Sequence, residues 1–168
     1  MASPYFTLEQ AQALLPVIRA HLSQALQIHG HLRASIVELT DAGVEVRWTM
    51  LRGETELDED AGPSARANLE RARMLYRALR DSIADIEGRG AEVKDVVSGL
   101  IDFRSWRDGE EEVLLCWKLG EARIEWFHGE QEGFAGRRTI EGHEFFAERH
   151  AAPLISEMSE LSEAAARD

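Results

Sequence analysis

Residues 115–137 contain side chains that can bind a metal ion or an anion. Two carboxylates and an imidazole, those of Glu121, Glu125 and His128, are ligand types that suit zinc, manganese or iron. The guanidinium group of Arg137 can grip a carboxylate or a phosphate through two parallel hydrogen bonds. A site in this segment would therefore bind a divalent metal, a small anionic ligand, or both.

The spacing of Glu121, Glu125 and His128 decides whether they can bind one ion together. Along a strand, steps of about 3.3 Å separate Glu121 from His128 by roughly 23 Å, whereas zinc ligands lie about 2.0–2.2 Å from the ion. On a helix the three residues would share one face. Because the segment between Gly120 and Gly129 is short and contains the strand-favouring Ile124, Trp126 and Phe127, a three-ligand site within it is the less favoured arrangement.

Of the two metal arrangements, a site assembled across neighbouring strands is favoured, and it centres on Asp102 and His128. A turn at residues 119–121 would place His128 on the apolar face that carries Trp117. A two-residue turn at residues 108–109 would place Asp102 on that face as well. Such a site would borrow a carboxylate from a bend or from another chain. The competing interpretation is a hydrogen-bonded polar pair that satisfies itself in the core.

Two other features of the segment have simpler explanations. Cys116 is expected beside the acidic Glu125, which would raise the pKa of the thiol, so we expect a small apolar filler rather than a nucleophile. Residues 129–138 contain three glycines and two arginines, but they match neither a Walker loop nor a dinucleotide fingerprint. A turn in which Arg137 ties down neighbouring carboxylates is the favoured interpretation, and binding of an anion is the alternative.

The elements that must position these residues are two long helices followed by a small sheet. A capping box begins the first helix at Thr7, and its apolar residues recur every three or four positions to about Leu39. A second helical stripe opens at Pro63 and closes at Gly88. Short β-rich runs separated by glycine-containing turns then predict an antiparallel meander. The predicted fold is α+β, with a long antiparallel helical hairpin packed on a meander of about three strands.

The sequence predicts one domain followed by a C-terminal tail. Residues 44–51 alternate like a strand, and residues 52–62 form an acidic loop. We expect a single α+β domain at residues 1–140, with helices at about 7–39 and 63–88, the sheet at about 93–128, a glycine-rich loop at 129–138 and a C-terminal helical tail at 141–168.

The charge of the chain limits its partners. With 31 acidic and 19 basic residues, the net charge of -12 repels phosphate backbones and anionic lipid, so neither nucleic acid nor a membrane is an expected partner. The arginines of the second helix are interpreted as members of solvated ion pairs, Arg66 with Glu70 and Arg77 with Asp81. A cytoplasmic location is expected, because no signal peptide or long apolar run is evident and Cys116 is the single cysteine.

Several short motifs occur in an order that resembles a known family. They are "FTLEQAQALLP", "GLIDF", "LCWKLGE", "IEWFH" and "GFAGR". Together they resemble the bacterial family known as domain of unknown function 2203, over most of residues 5–140. Because that family is uncharacterised, the resemblance implies a fold and a set of residues but no reaction. The implied residues are Asp102, Cys116, Trp117, Gly120, Glu121, His128, Gly133, Phe134, Gly136 and Arg137.

Two hypotheses of function stay open. The first is a binding protein, or an enzyme of unknown reaction, in which Asp102 and Arg137 bind a ligand while Glu121, Glu125 and His128 bind a divalent metal. A metal in this site would act as a Lewis acid or activate a water molecule. The second is a non-catalytic interaction protein that docks a partner on its helical hairpin, with the polar residues only supporting the sheet.

The lengths of the elements predict the assembly. The two helices would span roughly 48 and 38 Å, and the strands only about 23 Å, so the sheet covers part of the helical apolar stripe. A large exposed apolar patch is unusual in a soluble monomer. We therefore expect a homodimer built on the helical hairpins, which Leu32→Glu should break.

Overall fold

The computed structural model describes residues 4–150 of the chain. Its helices are α1 at Leu8–Asp41, a short α2 at Trp48–Leu51, and α3 at Pro63–Glu87. The capping box of α1 is present: the Thr7 hydroxyl accepts a hydrogen bond from the Gln10 amide at 3.1 Å, and the Gln10 side chain accepts one from the Thr7 amide at 3.0 Å. Both long helices therefore begin at their sequence signals.

The two long helices pack against each other, and their residue numbers run in opposite directions across the contact. Asn68 Nδ2 donates to Glu38 Oε2 at 2.8 Å, and His21 Nδ1 lies 4.0 Å from Asp85 Oδ2. The connection between the helices contains α2, where the sequence predicted a strand at residues 44–51. Its Met50 and Leu51 are buried in an apolar cluster with residues of both long helices: Leu32, Leu39, Leu69 and Ala72.

The sheet has six strands, so the prediction of about three is wrong. The strands are β1 at Glu92–Asp95, β2 at Leu100–Arg107, β3 at Glu111–Lys118, β4 at Trp126–His128, β5 at Arg138–Thr139 and β6 at Phe145–Phe146. They follow the order β1-β2-β3-β4-β5, β6 pairs with β2, and each pair is antiparallel. The unpredicted strands β1, β5 and β6 have two to four residues, too few to show an alternating pattern.

The two faces of the sheet have different roles. One face belongs to the main apolar core, which it forms with Leu15, Ile18 and Leu22 of α1. Its buried side chains are Ile101, Phe103, Val113, Leu115, Trp117 and Phe127. The opposite face carries polar side chains from β2, β3 and β4. The helices therefore support the sheet from one side, and the candidate site lies on the other.

The arginines of α3 do not form the two predicted ion pairs. Arg66 donates to backbone carbonyl groups of residues 58–61. Glu70 pairs with Arg73 instead, at 2.8 Å. Within residues 4–150, Arg77 has no carboxylate oxygen within 4.0 Å. Arg66 of α3 therefore contacts the connection between the helices instead of pairing within its own helix.

The last described residues form turns and β6 rather than a helix. β6 pairs with the end of β2, with Phe146 opposite Trp106. The rest of the predicted helical tail, residues 151–168, lies outside the described residues. Within the described range, no helix has the length and apolar character needed to cross a membrane.

Candidate functional site

The register of the sheet brings Asp102, Cys116 and His128 onto one face. Asp102 lies opposite Cys116 across β2 and β3, and Cys116 lies opposite Trp126 across β3 and β4. His128 follows Trp126 by two residues and therefore points to the same side of the sheet. The predicted pairing of Asp102 with His128 is thus formed, but on the face opposite to Trp117.

The three side chains are close together and shielded from solvent. One potential ligand atom of each, a carboxylate oxygen, the thiol sulfur and a ring nitrogen, lies within 4.8 Å of the other two. Asp102 is 1% exposed, Cys116 0% and His128 2%. Within residues 4–150, this is the only group of three or more acidic, histidine or cysteine residues with such geometry. The group therefore brings one oxygen, one sulfur and one nitrogen atom close to one another.

His128 is held by a hydrogen bond at each ring nitrogen. Nδ1 lies 2.8 Å from the Gly129 carbonyl oxygen, and Nε2 lies 3.1 Å from Asp102 Oδ2. A carbonyl oxygen only accepts, so Nδ1 carries a proton and Nε2 is the nitrogen that faces the site. Burial by itself lowers the pKa of His128, but the hydrogen bonds to Asp102 and to the Gly129 carbonyl outweigh it and raise the pKa.

The surroundings of Cys116 favour the protonated thiol. Burial and the neighbouring Asp102 carboxylate raise its pKa to about 12, and Arg137 opposes them only partly. The expectation of a raised pKa is confirmed, although its causes differ from the predicted one. Glu125 is exposed and pairs with Arg123 at 3.0 Å.

Three buried polar atoms in the described part of the chain have no hydrogen-bond partner: Asp102 Oδ1, Glu92 Oε2 and Arg137 Nε. Glu92 is the cross-strand partner of Asp102, so these two belong to the same face of the sheet. A buried polar group without a partner costs about 1–3 kcal/mol or more. Buried polar atoms of this kind ordinarily have a hydrogen-bond partner such as a water molecule or an ion.

Arg137 and Glu121 form an ion pair beside this cluster. Arg137 Nη2 donates to both carboxylate oxygens of Glu121, at 2.8 and 2.6 Å. The guanidinium lies near two aromatic rings, 5.1 Å from the centroid of Trp126 and 4.7 Å from that of Phe134. Arg137 therefore pairs with a neighbouring carboxylate, which is the favoured interpretation from the sequence. The small anionic ligand stays a prediction.

The glycine-rich segment lies over the polar face. Arg104, on the same face as Asp102, contacts Glu130 at 3.3 Å, and the Lys118 ammonium lies 5.6 Å from the Phe134 ring centroid. Gly133 has φ 63° and ψ -166°, a conformation open essentially to glycine alone. Residues 129–137 are thus folded back as the cover of the site.

The structure brings together part of the predicted site. Asp102 and His128 meet, and the third member of the cluster is Cys116, which the sequence had assigned to packing. Glu121 and Glu125, the predicted carboxylate ligands, are not members of the cluster. The number of residues between Asp102 and Cys116 could have identified Cys116 as a member of the site. A three-residue turn between β2 and β3 places the two residues opposite each other.

The cluster lies within the part of the chain that comparison with known proteins identifies. No curated protein and no solved structure matches the chain. A family model described as an uncharacterized conserved protein, DUF2203, matches residues 4–140. Since this match covers most of the sequence and includes Asp102, Cys116 and His128, the chain belongs to the DUF2203 family.

Proposed function

We propose that the protein binds one divalent metal ion through the carboxylate of Asp102, the sulfur of Cys116 and Nε2 of His128. The observation that carries the proposal is the convergence of these three ligand atoms in a buried place where Asp102 Oδ1 has no partner. The ligand set favours zinc over manganese and iron, because zinc accepts sulfur, nitrogen and oxygen in one tetrahedral site.

The surroundings of the cluster also suit a metal. In metal sites, a histidine ligand commonly donates its second ring N–H to a carbonyl or carboxylate group, which fixes the ring. The Gly129 carbonyl accepts this hydrogen bond from Nδ1 of His128. A bound ion would displace the thiol proton of Cys116 and give the unpaired oxygen of Asp102 a partner.

The proposed ion would join three neighbouring strands, since β2, β3 and β4 each supply one ligand. Three protein ligands leave one position of a tetrahedral zinc ion for water or substrate. In that position the ion would act as a Lewis acid or lower the pKa of a bound water. The residues of the site would hold the ion, and the segment 129–137 would limit access of solvent to it.

Metal analysis of protein purified without a histidine tag tests the proposal. The wild-type chain should contain about one equivalent of zinc, and Cys116→Ser and His128→Ala should each retain less than about a tenth of that. Glu125→Gln is the matched control, because Glu125 is exposed and outside the cluster. A metal content below about a tenth of an equivalent in the wild type would sink the proposal.

Thermal unfolding gives a second measurement that does not depend on how the protein was purified. Adding zinc to chelated wild-type protein should stabilise it by about 2.7 kcal/mol when free zinc is 100-fold above the dissociation constant. The same addition should leave His128→Ala unchanged. Equal stabilisation of wild type and His128→Ala would contradict binding at this cluster and indicate metal bound elsewhere on the chain.

A second candidate is the non-catalytic interaction protein that docks a partner on its helical hairpin. The observation in its favour is that Asp102 and His128 already satisfy each other in part, at 3.1 Å, without any ion. In this case Asp102→Ala and His128→Ala should each cost about 1–3 kcal/mol of unfolding free energy while no metal is found in the wild type. Metal content therefore separates the two functions.

A further inference from the structure

A cleft beside α3 collects arginine side chains in a chain that is strongly acidic overall. Its volume is about 340 Å³, and its lining includes four arginines, Arg52, Arg73, Arg77 and Arg80, together with Tyr76. Arg73, Arg77 and Arg80 follow one another on α3 at steps of four and three residues, so they share one side of the helix. Leu51 of α2 also lines the cleft, and none of the residues of the proposed metal centre does.

Two of the four arginines have their charge compensated by nearby carboxylates. Arg73 is buried and pairs with Glu56 at 3.2 Å and Glu70 at 2.8 Å. Arg52 donates to both oxygens of Glu54, at 2.7 and 3.3 Å. Glu54 is the acidic residue that lines the cleft, and this pair neutralises it. These two arginines form the wall of the cleft rather than its binding groups.

The other two arginines have no compensating charge within residues 4–150. Neither Arg77 nor Arg80 has a carboxylate oxygen within 4.0 Å, and Arg80 lies 5.9 Å from the ring centroid of Tyr76. Like charges three residues apart on a helix repel each other. A counter-ion that contacts both guanidinium groups would remove this repulsion and gain hydrogen bonds from both.

The chemistry of the cleft selects the kind of anion. Planar guanidinium groups match the oxygens of phosphate with paired hydrogen bonds, which a compact ammonium group cannot do. The volume lies at the lower end of the range for small-molecule sites. The net charge of -12 opposes an extended polyanion, so a small ligand fits better than a nucleic acid.

We infer that this cleft binds a phosphate group, free or as the monoester of a small molecule, between the guanidinium groups of Arg77 and Arg80. The ring of Tyr76 lines the cleft, and the exposed ring of Trp48 lies 6.0 Å from it. These rings provide a surface on which the organic part of a monoester can pack. The site is independent of the proposed metal centre.

Isothermal titration calorimetry of the full chain tests this inference with three probes: inorganic phosphate, pyrophosphate and a nucleoside monophosphate. Arg77→Gln and Arg80→Gln should each weaken binding about tenfold, because each removes one charged donor pair. Arg71→Gln is the matched control, since Arg71 is an exposed arginine of the same helix that does not line the cleft. This variant should bind as the wild type does.

The experiment distinguishes this site from the proposed metal centre. It also distinguishes free phosphate from a phosphate monoester as the ligand. Wild-type protein treated with a chelator of divalent metals should keep full phosphate affinity, because the residues of the proposed metal cluster do not line this cleft. Tighter binding of the nucleoside monophosphate than of phosphate identifies a monoester ligand, and equal binding identifies free phosphate. The inference is overturned if no probe binds the wild type, if Arg71→Gln weakens binding as much as Arg77→Gln, or if the chelator abolishes binding.

Discussion

Cys116 shows how strongly the environment of one residue can suppress a reactive group. Its thiol is completely buried and faces a carboxylate, and its pKa rises from an ordinary value of 9.0 to about 12. A raised pKa keeps the thiol protonated at pH 8, so the thiolate fraction falls roughly a thousandfold. In chelated wild-type protein, alkylation by iodoacetamide should therefore be at least about a thousandfold slower than in urea-unfolded protein. Similar rates in the two states would contradict this environment.

Arg137 gives a second prediction for a single residue. Its side chain is 12% exposed and pairs with Glu121 through two short hydrogen bonds. Arg137→Lys should lower the free energy of unfolding by about 1–3 kcal/mol, because an ammonium group keeps the charge but loses the packing of the planar guanidinium near the rings of Trp126 and Phe134. Urea unfolding measures the change.

A surface ion pair provides the control for Arg137. Arg123 is 71% exposed and pairs with Glu125, which is 51% exposed. Because water screens such a pair, Arg123→Lys should change the unfolding free energy by less than about 0.5 kcal/mol. If the two lysine variants lose the same amount, then the pair of Arg137 with Glu121 contributes no more than a surface contact.

At the scale of elements, Arg73 connects α3 to the segment that joins the two long helices. Its guanidinium donates to the Met50 carbonyl oxygen at 2.7 Å and to the Thr55 carbonyl oxygen at 2.9 Å. Arg73→Ala should cost about 2–3 kcal/mol of unfolding free energy, because it leaves these carbonyl groups without their donor. Hydrogen exchange should show reduced protection of the α2 amides in the same variant.

Arg71 again supplies the comparison, as an exposed arginine of α3. Arg71→Ala should change the unfolding free energy by less than about 0.5 kcal/mol and leave exchange in α2 as it is in the wild type. Unchanged α2 protection in Arg73→Ala would show that the apolar contacts of Met50 and Leu51 hold this segment without the arginine.

The elements also show what the sequence could and could not predict. Both long helices follow from apolar stripes that persist over many turns and from end signals at Thr7, Pro63 and Gly88. β5 and β6 have two residues each, and their pairing is decided by tertiary contacts rather than by a local pattern. Strand number was therefore predicted less well than helix position.

The candidate site was predicted in part because two errors in register compensated. The turn between β2 and β3 has three residues, 108–110, rather than two, which moves Asp102 to the other face of the sheet. Trp126 and His128 also lie on the face of Cys116 instead of that of Trp117. Asp102 and His128 both lie on the face opposite to the predicted one, so the predicted pair is still formed. Cys116, which lies on that face, was not predicted as part of the site.

At the scale of the whole molecule, the structure changes the argument for a dimer. The prediction rested on an apolar stripe of the helices that the sheet could not cover. The part of this stripe that contains Leu32 and Leu39 does not belong to the core shared with the sheet. Met50 and Leu51 of α2 pack on it and cover it within the chain. The larger apolar side chains left exposed at this end are Val37, Trp48 and Met74, at 50%, 63% and 63%.

The homodimer therefore stays a prediction, with an interface that uses the exposed Val37 and Met74 instead of Leu32. Light scattering at micromolar concentration should give twice the 18.9 kDa of the chain. Met74→Glu should reduce the mass to that of one chain at unchanged melting temperature, because Met74 is exposed. Leu32→Glu should instead unfold the protein, since it buries an unpaired charge among apolar side chains. A wild-type mass of one chain would exclude the dimer and leave α2 as the cover of the part of the helices around Leu32 and Leu39.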